Sequence, residues 1–242
     1  MRIAVISDIH GNLHALEAVL AAITAVAVDR IWCLGDLVGY GPRPNECCVL
    51  IRDRAALCLA GNHDLGVLGA LDLGEFSDEA AAAARWTREQ LDEDARGYLE
   101  SLAPSAESEG LELFHASPRD PVWEYVLTED AAAAALALTR SPAVLVGHSH
   151  VALAVSQDGS RLAGGLAPPG THAQFDERRF LLNPGSVGQP RDGDPRAAYL
   201  VLDLERSRAA FERVEYPIEQ TQREIRAARL PEVLASRLAH GE

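Results

Sequence analysis

The chain has 242 residues, 48% of them apolar and 24% charged, and its 36 Asp and Glu against 22 Lys and Arg give a formal net charge of −14. That length suits one large α/β domain, and the acidic balance speaks against an extended nucleic-acid surface, which depends on clustered Lys and Arg. No apolar run approaches the ~18 residues of a membrane span and no signal peptide precedes the first apolar run, so a cytoplasmic protein without a membrane partner is expected.

The first apolar run, residues 2–6, ends on Ser7-Asp8-Ile9-His10. Residues 12–28 then carry Leu13, Leu16, Leu20 and Ile23 at helical spacing, ahead of a second run over 31–34 that ends on Gly35-Asp36. A helix over 45–53 is predicted before the third run, 56–60, which ends on Gly61-Asn62-His63-Asp64. Strand and helix alternating in this way predict parallel strands joined by right-handed crossovers. Cys33, Cys47, Cys48 and Cys58 show no C-x-x-C spacing, and two of them lie inside apolar runs. They read as small buried hydrophobes in a reducing compartment.

Residues 65–106 read as a helical insertion in a single domain. One helix starts at Ser77-Asp78-Glu79 and continues through Trp86 and Leu91; a shorter one covers 94–102. The fourth apolar run, 111–114, ends on His115, and the fifth, 143–146, on Gly147-His148-Ser149-His150. Between them the alanines of 131–135 mark a helix interior. After His150 the texture changes to short runs and turns, over 151–156, 161–163, 179–182, 198–202 and 209–214, which predicts an antiparallel half. Residues 217–242 form a helical tail, with Pro231 starting its second helix.

Continuous apolar runs of this length read as buried strands, and sites in α/β sheets form outside the carboxyl ends of strands. Five strand ends would therefore deliver Asp8, His10, Asp36, Asn62, His115, His148 and His150 to one place. Asp8-x-His10 and His148-x-His150 would each present two donors on one side of an extended segment. A carboxylate beside an imidazole suits Mn, Fe, Co or Zn better than Ca or Mg. The donors are too many for a single ion. His14, His172 and His240, by contrast, read as surface or satisfied residues.

Asp8-x-His10, Gly35-Asp36, Gly61-Asn62-His63-Asp64, His115 and Gly147-His148-x-His150 together resemble the calcineurin-like metallophosphoesterase superfamily. The segments from Gly35 to Pro42 and from Asn183 to Gly188 are similar to its small prokaryotic phosphodiesterase branch. The resemblance implies a four-layer αββα sandwich of two mixed sheets and two divalent transition-metal ions per chain. Manganese is the first expectation, with Fe, Zn, Co or Ni as alternatives. It also implies a division of donors: Asp8, His10, Asp36 and His150 for one ion, and Asp36, Asn62, His115 and His148 for the other, with Asp36 as the bridge. A hydroxide shared by the two ions would attack phosphorus in line. His63 would protonate the leaving oxygen or bind phosphate, and Asp64 would orient it, unless Asp64 serves as a helix cap.

Two divalent ions, two carboxylates and a hydroxide sum to +1, which matches a phosphodiester monoanion. The segment Gly35-Asp36-Leu37-Val38-Gly39-Tyr40-Gly41 lacks the arginine that the protein Ser/Thr phosphatases carry there, which favours a small phosphodiester or nucleotide-type substrate. A phosphomonoesterase, a dinucleoside-polyphosphate hydrolase and a metal-binding scaffold without turnover are the rivals. Residues 117–125 contain Arg119, Trp123 and Tyr125, groups able to grip phosphate and stack on a base or else to pack on the core. Arg191 and Asp192 are undecided in the same way. Substrate identity, native metal and oligomeric state stay open.

Overall fold

The computed structural model describes residues 1–175 and 177–242. Their strands form two six-stranded sheets. With elements numbered along the chain, the first sheet has the order β3 (Leu57–Cys58), β2 (Arg30–Cys33), β1 (Arg2–Ile6), β11 (Ala197–Asp203), β12 (Arg208–Val214), β9 (His172–Gln174). The second has the order β4 (Ser105–Ser108), β5 (Leu111–Phe114), β6 (Ala143–Leu145), β10 (Arg179–Pro184), β7 (Ala152–Asp158), β8 (Arg161–Leu166).

Side chains alternate across each strand, and here both faces are apolar. Ile3 and Val5 of β1 enter the core between the sheets, with Trp32, Leu113, Leu145, Leu200, Leu202 and Phe211. Ala4 and Ile6 enter a second core under helices α1 (Leu13–Ala25) and α2 (Pro44–Arg54). On the far side, Val144 and Leu181 pack against Ala132, Ala135 and Leu136 of α6 (Glu129–Leu138). Each fully buried aliphatic side chain of this kind contributes ~1.5–3 kcal/mol, so a one-residue slip of β1 would exchange its two buried faces. The result is the expected αββα sandwich.

The strands after His150 do not form a separate antiparallel half. β7, β8 and β10 join the second sheet, with β10 parallel to β6, whereas β9, β11 and β12 return to the first. The reason lies in β11, where Leu200 and Leu202 face one core and Tyr199 and Val201 the other. A strand apolar on both faces belongs in a sheet interior, and β11 accordingly pairs antiparallel with β1.

The insertion contains α3 (Asn62–Leu68), a 3-10 turn (Leu73–Glu75), α4 (Asp78–Gln90) and α5 (Glu93–Glu100). The side chains of Ser77 and Asp92 cap α4 and α5 by accepting from the Ala80 and Ala95 N–H groups, at 3.3 and 2.7 Å. Thr128 caps α6 similarly. At the C-terminal end, α7 (Ile218–Ala227) and α8 (Glu232–Ser236) lead into a 3-10 turn (Arg237–Ala239). Ile225, Leu230, Leu234 and Leu238 of this tail share a small core with Ala80, Ala83 and Tyr40. Insertion and tail thus meet over Tyr40. Among the described residues no helix is long and apolar enough to cross a membrane.

Candidate metal centre

Each donor-bearing segment begins where a strand has just ended, after β1, β2, β3, β5 and β6. The donors converge by a different backbone route from the extended one expected. Asp8, His10, Asp36, His148 and His150 all have φ between 51° and 61°, the left-handed region that costs a non-glycine residue ~1–3 kcal/mol. The chain curls because its N–H groups turn inward to the neighbouring loop: Asp8 donates to the Gly35 carbonyl at 3.0 Å, and Ile9 and His10 donate to that of Asp36 at 2.9 Å. The Gly147 N–H bonds to the His115 carbonyl at 2.8 Å.

The turn over residues 183–188 fastens these loops to one another. The Ser186 hydroxyl and the Gly188 N–H both donate to the Asp8 carbonyl, at 2.7 and 2.9 Å, while the Asn183 amide donates to the Gly147 carbonyl at 2.7 Å. Close approach also explains Gly61: a Cβ there would lie 2.0 Å from Asp36 Oδ1.

All seven sequence-predicted donors are buried together. Asp36 Oδ2 lies 3.5 Å from His10 Nε2 and 3.5 Å from His115 Nε2. On one side His10 Nε2 is 3.0 Å from His150 Nε2, which is 3.5 Å from Asp8 Oδ1. On the other, His115 Nε2 is 3.3 Å from Asn62 Oδ1. Potential ligand atoms of Asp8, His10, Asp36 and His150 form one group within 4.8 Å of one another, and those of Asp36, His115 and His148 a second. Asp36 belongs to both. Its other oxygen, Oδ1, accepts from the His63 N–H at 2.9 Å, so the carboxylate is held with Oδ2 facing the donors.

The chemistry of this donor set fits divalent cations. Asp8 Oδ1 and Asp36 Oδ2 are buried without hydrogen-bond partners, a costly state for carboxylate oxygens unless a cation meets them. Burial pushes the Asp8 carboxyl up to about 7 and Asp36 well above the usual range. Burial likewise holds His10, His148 and His150 well below the ordinary imidazole value, leaving their lone pairs free at neutral pH. The tautomers are set by main-chain carbonyls. His10, His115 and His150 direct Nδ1 at the carbonyls of Val38, Leu34 and Gln189, at 3.0, 2.8 and 2.6 Å, leaving Nε2 for an ion. His148 is reversed: its Nε2 meets the Trp123 carbonyl at 3.2 Å, leaving Nδ1.

His63 sits beside this cluster, its ring 4.4 Å from Tyr40, 4.7 Å from His10 and 5.2 Å from Phe76. Its Nδ1 is buried against Gly39 without a partner, and burial lowers its pKa to about 3. Asp64 is not placed to orient it. Asp64 Oδ1 accepts from the Leu37 and Val38 N–H groups at 2.9 and 3.1 Å, and Oδ2 from that of Gly61 at 2.9 Å. Three main-chain donors satisfy this carboxylate, which fixes the start of α3 to the loop after Asp36, close to the capping alternative.

Arg119 and Trp123 have partners within the protein. Arg119 is over half exposed and paired with Glu124. The Trp123 ring packs edge-on to Phe76, centroids 4.9 Å apart, and its carbonyl seats His148. Tyr125 stacks on His148 at 4.1 Å and is half exposed. The 35–41 segment supplies no arginine, but one reaches the site from elsewhere. Arg43 is tied to Glu46 and Glu224, but Arg191 reaches the site from beyond the 183–188 turn. Its guanidinium carbon is 5.8 Å from the Tyr40 ring centre and Nη2 is 3.3 Å from the Tyr40 hydroxyl. Its charge helps to lower the pKa of His63 and His150. Asp192 is instead bound to Arg213 and the Ala152 N–H. Of these site-lining residues, Phe76 carried no sequence signal, while Tyr40 was visible only as part of a motif. His14 pairs with Glu224, away from the cluster.

Residues 1–207 match the family described as the calcineurin-like phosphoesterase superfamily domain. The chain is 40% identical over 244 residues to an uncharacterised protein of Methanocaldococcus jannaschii, covering 99% of this chain and 98% of that one. The crystal structure of a metallophosphoesterase from Sphaerobacter thermophilus superposes with a TM-score of 0.91 at 43% identity, over 100% of this chain and 99% of that one. A more local similarity, 37% identity over 68 residues, joins 27% of the chain to 24% of a symmetrical bis(5′-nucleosyl)-tetraphosphatase of Pseudomonas putida.

Proposed function

As the chain belongs to the calcineurin-like phosphoesterase superfamily, we propose that it hydrolyses phosphodiester-type linkages with two divalent transition ions, manganese in the first instance. Asp8, His10, Asp36 and His150 would hold one ion, and Asp36, Asn62, His115 and His148 the other. The observation that carries this reading is the single Asp36 Oδ2, buried, without a partner and 3.5 Å from a histidine of each group. The ions, when bound, acidify water and neutralise charge on phosphoryl oxygens.

The protein's own side chains supply the rest. With Nδ1 closed off by Gly39, His63 offers Nε2 to the leaving oxygen; the ring is neutral at pH 7 and would stabilise the charge developing there by an Nε2–H hydrogen bond. Tyr40 and Phe76 flank that ring and exclude water from it. Arg191 adds a positive charge beside Tyr40, near enough to bear on His63 and His150.

The charge sum of +1 still suits a reacting phosphorus with one negative oxygen. That description covers a simple diester and also an internal phosphate of a dinucleoside polyphosphate. The second reading is favoured by Arg191 and by the local similarity to tetraphosphatases. Rates on bis-p-nitrophenyl phosphate, p-nitrophenyl phosphate and diadenosine tetraphosphate with manganese-loaded protein would separate the possibilities. Hydrolysis confined to the monoester would overturn the phosphodiester reading, and no turnover of any substrate would leave a metal-binding scaffold.

A further inference from the structure

We infer that Arg191 and Arg237, which converge on the side-chain oxygen of Gln189, form a subsite for the phosphate adjacent to the reacting one. The substrate class is then a chain of two or more phosphates. This rests on the phosphoesterase reading above.

Gln189 Oε1 accepts from Arg191 Nη2 at 2.8 Å and from Arg237 Nη1 at 3.4 Å. Neither guanidinium forms an ion pair among the described residues, and both turn instead to the neutral Gln189 oxygen. Asp192, the nearest acid in sequence, is already bound to Arg213. In a chain with 36 acidic against 22 basic residues, two unpaired guanidiniums sharing one neutral oxygen are held against their mutual repulsion. Arg237 Nε is in addition buried without a partner. An anion with several acceptor oxygens would relieve the repulsion, and a guanidinium fork matches phosphate geometry.

The scaffold under this pair is the one that seats a metal donor. The Gln189 N–H donates to the Ser186 hydroxyl at 2.8 Å, His150 Nδ1 meets the Gln189 carbonyl at 2.6 Å, and the Arg191 N–H donates to the His150 carbonyl at 3.1 Å. Outward from the donors the order is His10 and His63, then Tyr40, Arg191 and Arg237. Arg191 and Arg237 thus lie beyond Tyr40 in this series, the direction in which the next phosphate of a chain is placed. In hydrolysis, a bond forms from the water oxygen to phosphorus and the bridging P–O bond breaks. The electron pair leaves on the bridging oxygen, as part of the departing phosphate whose charge the two guanidiniums meet. The departing phosphate leaves as an anion that accepts a hydrogen bond from His63 Nε2–H, and solvent takes the proton of water.

The test compares equilibrium binding of adenosine 5′-diphosphate and adenosine 5′-monophosphate at fixed free manganese. Wild type should bind the diphosphate at least ~10-fold more tightly, the scale of one added charge-assisted hydrogen bond. Arg237→Gln should remove most of that preference, and equal affinities in wild type would overturn the subsite without recourse to any variant. A preference undiminished in folded Arg237→Gln would overturn the role of Arg237. Turnover of bis-p-nitrophenyl phosphate, which has no second phosphate, reports separately on the catalytic reading. Turnover without a diphosphate preference sinks the subsite, and the reverse result sinks the enzyme.

Discussion

Replacing Asp8 with Asn separates what this carboxylate costs the fold from what it offers an ion. Asp8 Oδ2 accepts from the His148 N–H at 3.1 Å, while Oδ1 is buried without a partner, 3.5 Å from His150 Nε2. Asn keeps the acceptor and puts an amide donor in place of the orphan oxygen. Burial pushes the Asp8 pKa from an ordinary 3.8 to about 7. With the folded value above the unfolded one, the penalty is absent below about pH 4, grows as pH rises, and is complete above about 7. Over that interval, at 1.36 kcal/mol per pH unit, it amounts to about 4 kcal/mol. Burying an amide takes back part of the gain, leaving ~2–4 kcal/mol. Urea denaturation in chelator at pH 7.5 should therefore find Asp8→Asn more stable than wild type, with the difference closing toward pH 4. Manganese at ~1,000 times its Kd should reverse the order, since it adds ~4.1 kcal/mol to wild type and much less to the variant. A variant less stable than wild type in chelator at pH 7.5 would refute the reasoning.

Asp36→Asn should lose metal at both positions, measured as a fall from two ions per chain toward none; one ion in fully active wild type would contradict a bridged pair. His63→Ala should retain its metal while kcat falls by ~10²–10⁴, less on a p-nitrophenolate leaving group, and an equal loss on poor and good leaving groups would assign the ring to phosphate binding. Trp123→Ala leaves the carbonyl that seats His148 and should keep metal content; a lost base contact would shift the kcat/KM ratio of nucleotide to small diesters by ~1–3 kcal/mol, whereas equal losses make the ring a packing partner of Phe76. Glu224→Gln should destabilise at neutral pH by ~0.5–1 kcal/mol. The bond from Arg43 holds the Glu224 carboxyl below its usual range, so the stability it adds is present above the unfolded pKa and disappears as pH falls through the folded one, and urea midpoints of the two proteins should converge in acid.

The cluster was legible in the sequence because Asp, Asn or His stands directly after each of five apolar runs, an arrangement that solvated loops do not explain. The strands around it were legible because apolar faces must be covered. What could not be read was anything decided by main-chain direction. Asp8 and His10 look like alternate residues of an extended segment, yet both adopt left-handed backbone to bond the loop after β2. Asp64 looks like the orienter of its neighbour, yet its oxygens are taken by three N–H groups. Phe76 and Arg191 reach the site through tertiary folding from distant segments, and no local pattern announces such an approach. β11 was assigned to the wrong half because alternation tells how many faces are buried but not which strand lies alongside.

The carbonyls of Leu34, Val38, Trp123 and Gln189, each meeting one imidazole, leave the outer support of the cluster independent of which side chains stand there. Drift at those four positions would preserve the support as long as the loops keep their course. Alanine scanning would pass over Leu34 and Val38 without finding their contribution to ring orientation. Changes of path would expose it instead: a one-residue insertion after Leu34, or replacement of the Trp123 peptide by an ester to weaken the acceptor. Such support constrains loop length more tightly than composition, within the packing limits set by the buried Leu34 and Val38 side chains.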